Sequence, residues 1–72
     1  MAKSTQVTNR IRVLRFENGE MTQAELAKRI GVTRQTVIAI EQARYSPSLE
    51  LAFQIAHTFG VALDDVFQFP EG

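Results

Sequence analysis

The stretch Thr22 to Glu41, TQAELAKRIGVTRQTVIAIE, constrains this chain more than any other. Its apolar residues recur at helical spacing through Leu26, Ala27 and Ile30, stop at Gly31, and resume with Val37 and Ile40. Thr22-Gln23-Ala24-Glu25 has the form of a capping box, with a hydroxyl turned onto the third amide and a carboxylate returned to the cap amide. Gly31 suits a left-handed position closing the first run, where a Cβ would cost about 1 kcal/mol. Thr33 then caps a second helix from Arg34 to about Gln42. Two short helices joined by so tight a turn must share a core, so Leu26, Ile30, Val32, Val37 and Ile40 have to converge. Ala27 must be small where the second helix crosses it. The polar side chains Arg34 and Gln35 are then left on the first turn of a helix whose other side is fixed.

The rest of the chain has the same character. Asn9 is expected to cap a helix over Arg10 to Glu17, with Ile11, Leu14 and the neighbouring Val13 and Phe16 as its apolar positions. Asn18-Gly19 ends it, since both residues tolerate the left-handed conformation. Residues 44–47 read as a loop, because Pro47 disfavours helix at Ser46. Ser48 caps a fourth helix, Leu49 to Phe59, with Leu51, Ala52, Ile55, Ala56 and Phe59 inward and Gly60 as its stop. Leu63 to Phe67 makes a short fifth helix, although Val66-Phe67-Gln68-Phe69 also reads as a terminal strand ended by Pro70. Ala62 offers no capping hydroxyl at the start of that helix. No internal repeat or linker divides the 72 residues. The expectation is an all-α, compact five-helix bundle over residues 1–72, with room for a short terminal two-stranded antiparallel sheet.

Composition removes several functions. There is no cysteine and a single histidine, His57, so neither a disulfide framework nor a zinc cluster is expected. No apolar run approaches the roughly 18 residues of a membrane span, and the N-terminus lacks the apolar segment of a signal peptide. A cytoplasmic location follows as the expectation. No paired carboxylates or Ser/His/Asp set accompany a plausible cleft, so no catalytic residues are assigned. No cofactor, metal or small-molecule effector is implied. Asp64 and Asp65 suit the dipole at the start of a short helix.

Charge is informative by position rather than by sum. The formal net charge is zero, yet all eight basic residues precede Tyr45, accompanied by four glutamates. That part carries +4, and the remainder, with Glu50, Asp64, Asp65 and Glu71, carries −4. Such polarity can present a cationic face to a phosphate backbone while the other end stays acidic.

Capping box, glycine turn, Thr33-Arg34-Gln35-Thr36-Val37, Ile40-Glu41 and Pro47-Ser48-Leu49 through Phe59-Gly60-Val61 occur in order. At these spacings the chain resembles the Cro/C1-type (XRE, phage-repressor-like) helix-turn-helix regulators, from about Arg10 to Phe67. The tail from Asp64 to Phe69 is similar to that of small stand-alone members, which pair as homodimers. The resemblance implies a double-stranded DNA partner and a terminal sheet in which Val7 and its neighbours pair with Val66 to Phe69. It further implies base contacts by Arg34 and Gln35, with Ile38 and Ala39 one turn on. The chemistry agrees, because a guanidinium matches guanine O6/N7 and a carboxamide matches adenine N6/N7. Ile38 reaches a thymine methyl, or packs on another helix, or is simply exposed. Gln23, Thr33, Thr36 and Arg44 would hold backbone phosphates. Arg15 and Glu41 would form an orienting ion pair. Val66, Phe67 and Phe69 would contribute to a dimer seam, and Phe53 either joins it or fills the interior. The implied function is a transcriptional regulator, most simply a repressor on a pseudo-palindromic operator. The alternative on the same fold is an antitoxin-type or other protein-interaction module.

Overall fold

The computed structural model describes residues 5–44 and 46–70. Met1 to Thr5 are polar and expected to be loose; residues 1–4 of that segment, the Tyr45 position of the loop and the Glu71 charge lie outside the described residues. Five helices run in order: α1 (Ile11–Glu17), α2 (Gln23–Ile30), α3 (Arg34–Glu41), α4 (Leu49–Phe59) and α5 (Leu63–Val66). Two short strands, β1 (Thr8–Asn9) and β2 (Phe67–Gln68), pair antiparallel with Thr8 opposite Gln68 and Asn9 opposite Phe67. The ribbon thus forms next to Val7 rather than on it. The Val66 carbonyl extends it by accepting from the Arg10 N–H at 2.8 Å.

One core draws on every helix. Ile11, Leu26, Ile40, Ile55, Val37 and Val66 are its largest fully buried members, joined by Leu14, Ala27, Ile30, Ala56 and Phe59. Met21 is also buried, although it stands alone among polar loop residues in the sequence. The apolar face of α1 is narrower than its composition implies. Val13 and Phe16 are 45% and 68% exposed. At about 100° per residue they fall on the side of the helix opposite Ile11 and Leu14.

Local chemistry sets the helix ends. The Thr22 hydroxyl accepts from the Glu25 N–H at 3.0 Å and the Glu25 carboxylate accepts from the Thr22 N–H at 2.8 Å. Ser48 caps α4 through the Leu51 N–H. At α5, Ala62 supplies no acceptor, but its own N–H donates to Asp65 Oδ2 at 3.1 Å, which is half of a capping box. Capping by Asn9 holds at α1, while both ends of the helix are corrected. The residue flanking it is Arg10, which makes no side-chain cap. Asn9, one residue earlier in β1, takes that role by accepting from the Ile11 N–H at 3.1 Å. At the other end Asn18 keeps a negative φ of −105°, and the left-handed residues are Gly19 (φ 75°) and Glu20 (φ 57°).

Glu20 is exposed, so no burial offsets its left-handed conformation. The strain of about 1–2 kcal/mol is partly offset by the extra unfolded-state freedom of glycine, about 0.4–1 kcal/mol. Glu20→Gly is therefore expected to raise stability by roughly 0.5–1 kcal/mol in urea titration, whereas Gly31→Ala, at φ 72°, lowers it by about 1 kcal/mol. A drop in stability on Glu20→Gly would contradict this account.

The capping box also titrates. Hydrogen bonding from the Thr22 backbone N–H, and next from the Thr22 hydroxyl, holds the Glu25 carboxyl below its ordinary pKa. A depressed folded-state pKa contributes stability that is present above the unfolded value and is lost as pH falls through the folded one. Glu25→Gln keeps a capping acceptor without the titration. Its melting temperature should fall less steeply on acidification through the carboxylate range than that of the parent protein.

Candidate nucleic-acid interface

The turn between α2 and α3 places the polar face of α3. Gly31 is left-handed and the Val32 N–H returns to the Ala27 carbonyl at 3.0 Å. Thr33, extended at φ −83° and ψ 160°, then accepts from the Thr36 N–H and starts α3. Val37 and Ile40 are each 1% exposed and anchor the helix in the core. Arg34 and Gln35 on its first turn are exposed, and Ile38 and Ala39 beyond them are half-buried. A rigid helix with one side in the core and planar hydrogen-bonding groups on the other can be pressed against the edges of bases.

The residues expected around it are distributed as follows. Thr33 is exposed and Thr36 half-buried, with their hydroxyls 3.1 Å apart. Arg44 is exposed just after Ala43, which is itself buried with φ 58°. Gln23 is half-buried and already engaged, its Nε2 donating to Glu41 Oε1 at 3.2 Å. One amide hydrogen of that carboxamide remains to donate to a phosphate, and its carbonyl oxygen remains to accept from water.

Glu41 is the hub of this corner. Arg15 Nε donates to Glu41 Oε2 at 2.7 Å and Arg15 Nη2 to Glu41 Oε1 at 3.2 Å, while Arg15 Nη1 reaches the Met21 carbonyl at 2.8 Å. The fork geometry fixes α1, α3 and the loop before α2 together. Asn9 adds a second tie, donating through Nδ2 to the Ile40 carbonyl at 2.9 Å.

The seam expected at the C-terminus needs revision. Val66 is 0% exposed and belongs to the monomer core, so it has no surface to offer a partner. Phe67 is half-buried and packs against the same core, whereas Phe69 is 68% exposed. Phe53 is 49% exposed on α4, which excludes the interior-filling role. His57 is exposed beside Arg29, Glu50, Phe53 and Gln54 in a shallow groove.

Sequence reasoning missed a cleft of about 640 Å³ between α1, the start of α2 and α3. Arg10, Arg12, Gln23, Arg34 and Gln42 contribute to its walls, with the Arg15–Glu41 pair among its lining. The available signal was Arg12 and Arg15 at i, i+3 on one face of α1. Among the described residues, no helix is long and apolar enough to cross a membrane.

Fold and site together describe a DNA-binding helix-turn-helix module. The chain belongs to the Cro/C1-type Helix-turn-helix family, whose model matches residues 12–66. An HTH-type transcriptional regulator of Methanocaldococcus jannaschii, itself uncharacterised, is 55% identical over 51 residues, covering 71% of this chain and 77% of that one. The cryptic phage CTXphi transcriptional repressor of Vibrio cholerae is 36% identical over 59 residues, 82% of this chain and 52% of that protein. The crystal structure of a Bacteroides fragilis protein, provisionally described as DNA-binding, superposes with a TM-score of 0.74 over 86% of this chain and 98% of that one. At 22% identity it speaks for the fold alone.

Proposed function

We propose that this transcriptional regulator is a sequence-specific repressor that works in the cytoplasm as a homodimer, each chain serving as one DNA-binding domain. The observation that carries this reading is the contrast within α3. Val37 and Ile40 are fully buried, while Arg34 and Gln35, in the first turn after the cap, are exposed. Arg34 and Gln35 then read base edges, Ile38 and Ala39 line the groove floor, and Gln23, Thr33, Thr36 and Arg44 hold phosphates. Two copies of α3 would enter successive major grooves about 34 Å apart on a pseudo-palindrome. Phe69 is the exposed apolar side chain best suited to the dimer seam, joined by Phe67, which is half-buried against the core.

Selection from random duplex oligonucleotides tests this reading. It should return a palindrome, and the same selection with Arg34→Ala should lose information at one position per half-site. Enrichment of no sequence at all would remove the proposal. A protein-holding role draws on a different observation, the exposure of Leu49 (68%) and Phe53 (49%) one turn apart on α4. It predicts a stoichiometric partner whose binding ignores Arg34→Ala.

A further inference from the structure

Away from the base-reading turn, α4 carries an exposed row. Ala52, Ile55, Ala56 and Phe59 are buried on one side of the helix, whereas Leu49, Phe53 and His57, spaced one turn apart, are exposed on the other. Beside this row, between α2 and α4, runs a groove of about 370 Å³ lined by Arg29, Glu50, Phe53, Gln54 and His57. Leu49 is not part of the lining, but it adjoins Glu50 and stands one turn before Phe53. An exposed apolar knob is thus set next to an open groove.

The groove carries one charge of each sign on different helices. Arg29 comes from α2 and Glu50 from the first turn of α4, and both are exposed. Among the described residues the only ion pair is that of Arg15 with Glu41, so Arg29 and Glu50 are not matched to each other. Glu25, one turn before Arg29, is committed to the Thr22 amide. A two-fold contact sets the same patch on both sides, so a patch suits it only by complementing itself. This patch does so twice over, with Leu49 opposite the groove and Arg29 opposite Glu50. A groove of a single sign would repel its own copy. Here the two formal charges cancel, as they do over the whole chain.

We propose that the face formed by α2 and α4 is a self-contact, in which Leu49 of each copy enters the groove of the other and Arg29 pairs with Glu50 across the axis. Its consequence rests on the homodimer reading above. Neither Phe67 nor Phe69 lines the groove, so the contact is separate from that seam, and a chain with both joins dimer to dimer. Six side chains, the five of the lining and Leu49, fall well short of the roughly 20–30 residues a side of a stable interface. The contact is therefore weak between free dimers and takes hold where one duplex brings two dimers together at high local concentration.

Sedimentation equilibrium of the full chain, carried to millimolar concentration, tests the contact without DNA. Leu49→Asp puts a carboxylate where the contact buries an alkyl group, and at the first position of α4 that charge suits the helix dipole. The parent should associate beyond the dimer, and Leu49→Asp should stop at the dimer with its melting temperature retained. Arg29→Glu and Glu50→Arg should each act likewise, and the two combined should restore association, because the pairs re-form with their signs exchanged. On a duplex holding two operators a whole number of turns apart, parent dimers should bind with a coupling of about five- to 150-fold. Leu49→Asp should remove that coupling and leave single-operator affinity unchanged. Equal assembly by the parent and Leu49→Asp overturns the proposal, as does a double charge variant that associates no better than the single ones. A foreign protein that Leu49→Asp releases, with self-association unaltered, gives the face to another partner and overturns it too. A chain that selects no operator loses the regulator reading, while the sedimentation result decides the self-contact by itself.

Discussion

With alanine in place of Arg34, the protein keeps its fold and loses discrimination at one base pair of each half-site, by about 1–3 kcal/mol per bidentate pair, or roughly five- to 150-fold. The size follows from mounting as much as from chemistry. Val37 and Ile40 hold α3 in the core irrespective of the side chain at position 34, so the loss is that of the guanidinium's paired hydrogen bonds and not of a displaced helix. Lysine should not rescue it, because a point charge cannot reproduce the planar fork. Competition between the operator and its single-base variants measures the effect. Identical preferences in the parent and in Arg34→Ala would mean that the helix does not read bases through this residue.

The largest expected effect on stability comes from Arg15→Ala, at about 3 kcal/mol. Breaking a buried pair by removing one partner costs about 3–5 kcal/mol. The side chains here retain 15% and 9% exposure, which points to the lower end. The variant leaves Glu41 with Gln23 alone and strands the Met21 carbonyl, which Arg15 Nη1 now satisfies. At about 4–8 °C per kcal/mol for a domain of this size, the melting temperature should drop by roughly 12–24 °C. Replacing both partners by apolar residues, Arg15→Met with Glu41→Leu, should recover most of the loss, since it leaves no uncompensated charge. Base preference should be unaltered in both. A melting temperature within a degree or two of the parent for Arg15→Ala would show that the pair is not a fastening of the fold.

The features legible in the sequence were those that local geometry or periodicity writes into neighbouring residues. The capping box at Thr22, the left-handed Gly31, the serine cap before α4 and the apolar stripes of α2, α3 and α4 all lie within a few positions of their cause. What stayed hidden depends on residues far apart in the chain. Asn9 serves two elements at once, capping α1 and bonding the end of α3, and no local pattern announces the second. Gln23 carries a phosphate-binding position by resemblance, yet its partner within the chain is Glu41, eighteen residues away. Val66 reads as a strand residue open to a partner, but α5 turns it wholly inward. Val13 and Phe16 show the limit of apolar character as a guide in a helix of seven residues, where a shift of two positions moves a side chain from core to solvent.

The ribbon at the ends of the chain has a consequence for recognition. Asn9 lies in β1 opposite Phe67 of β2, and its side chain bonds the main chain where α3 finishes. The tail of the protein is in this way part of the bracket on which α3 is mounted. An alteration near Phe67 is therefore expected to loosen the mount of α3, and with it the position of Arg34.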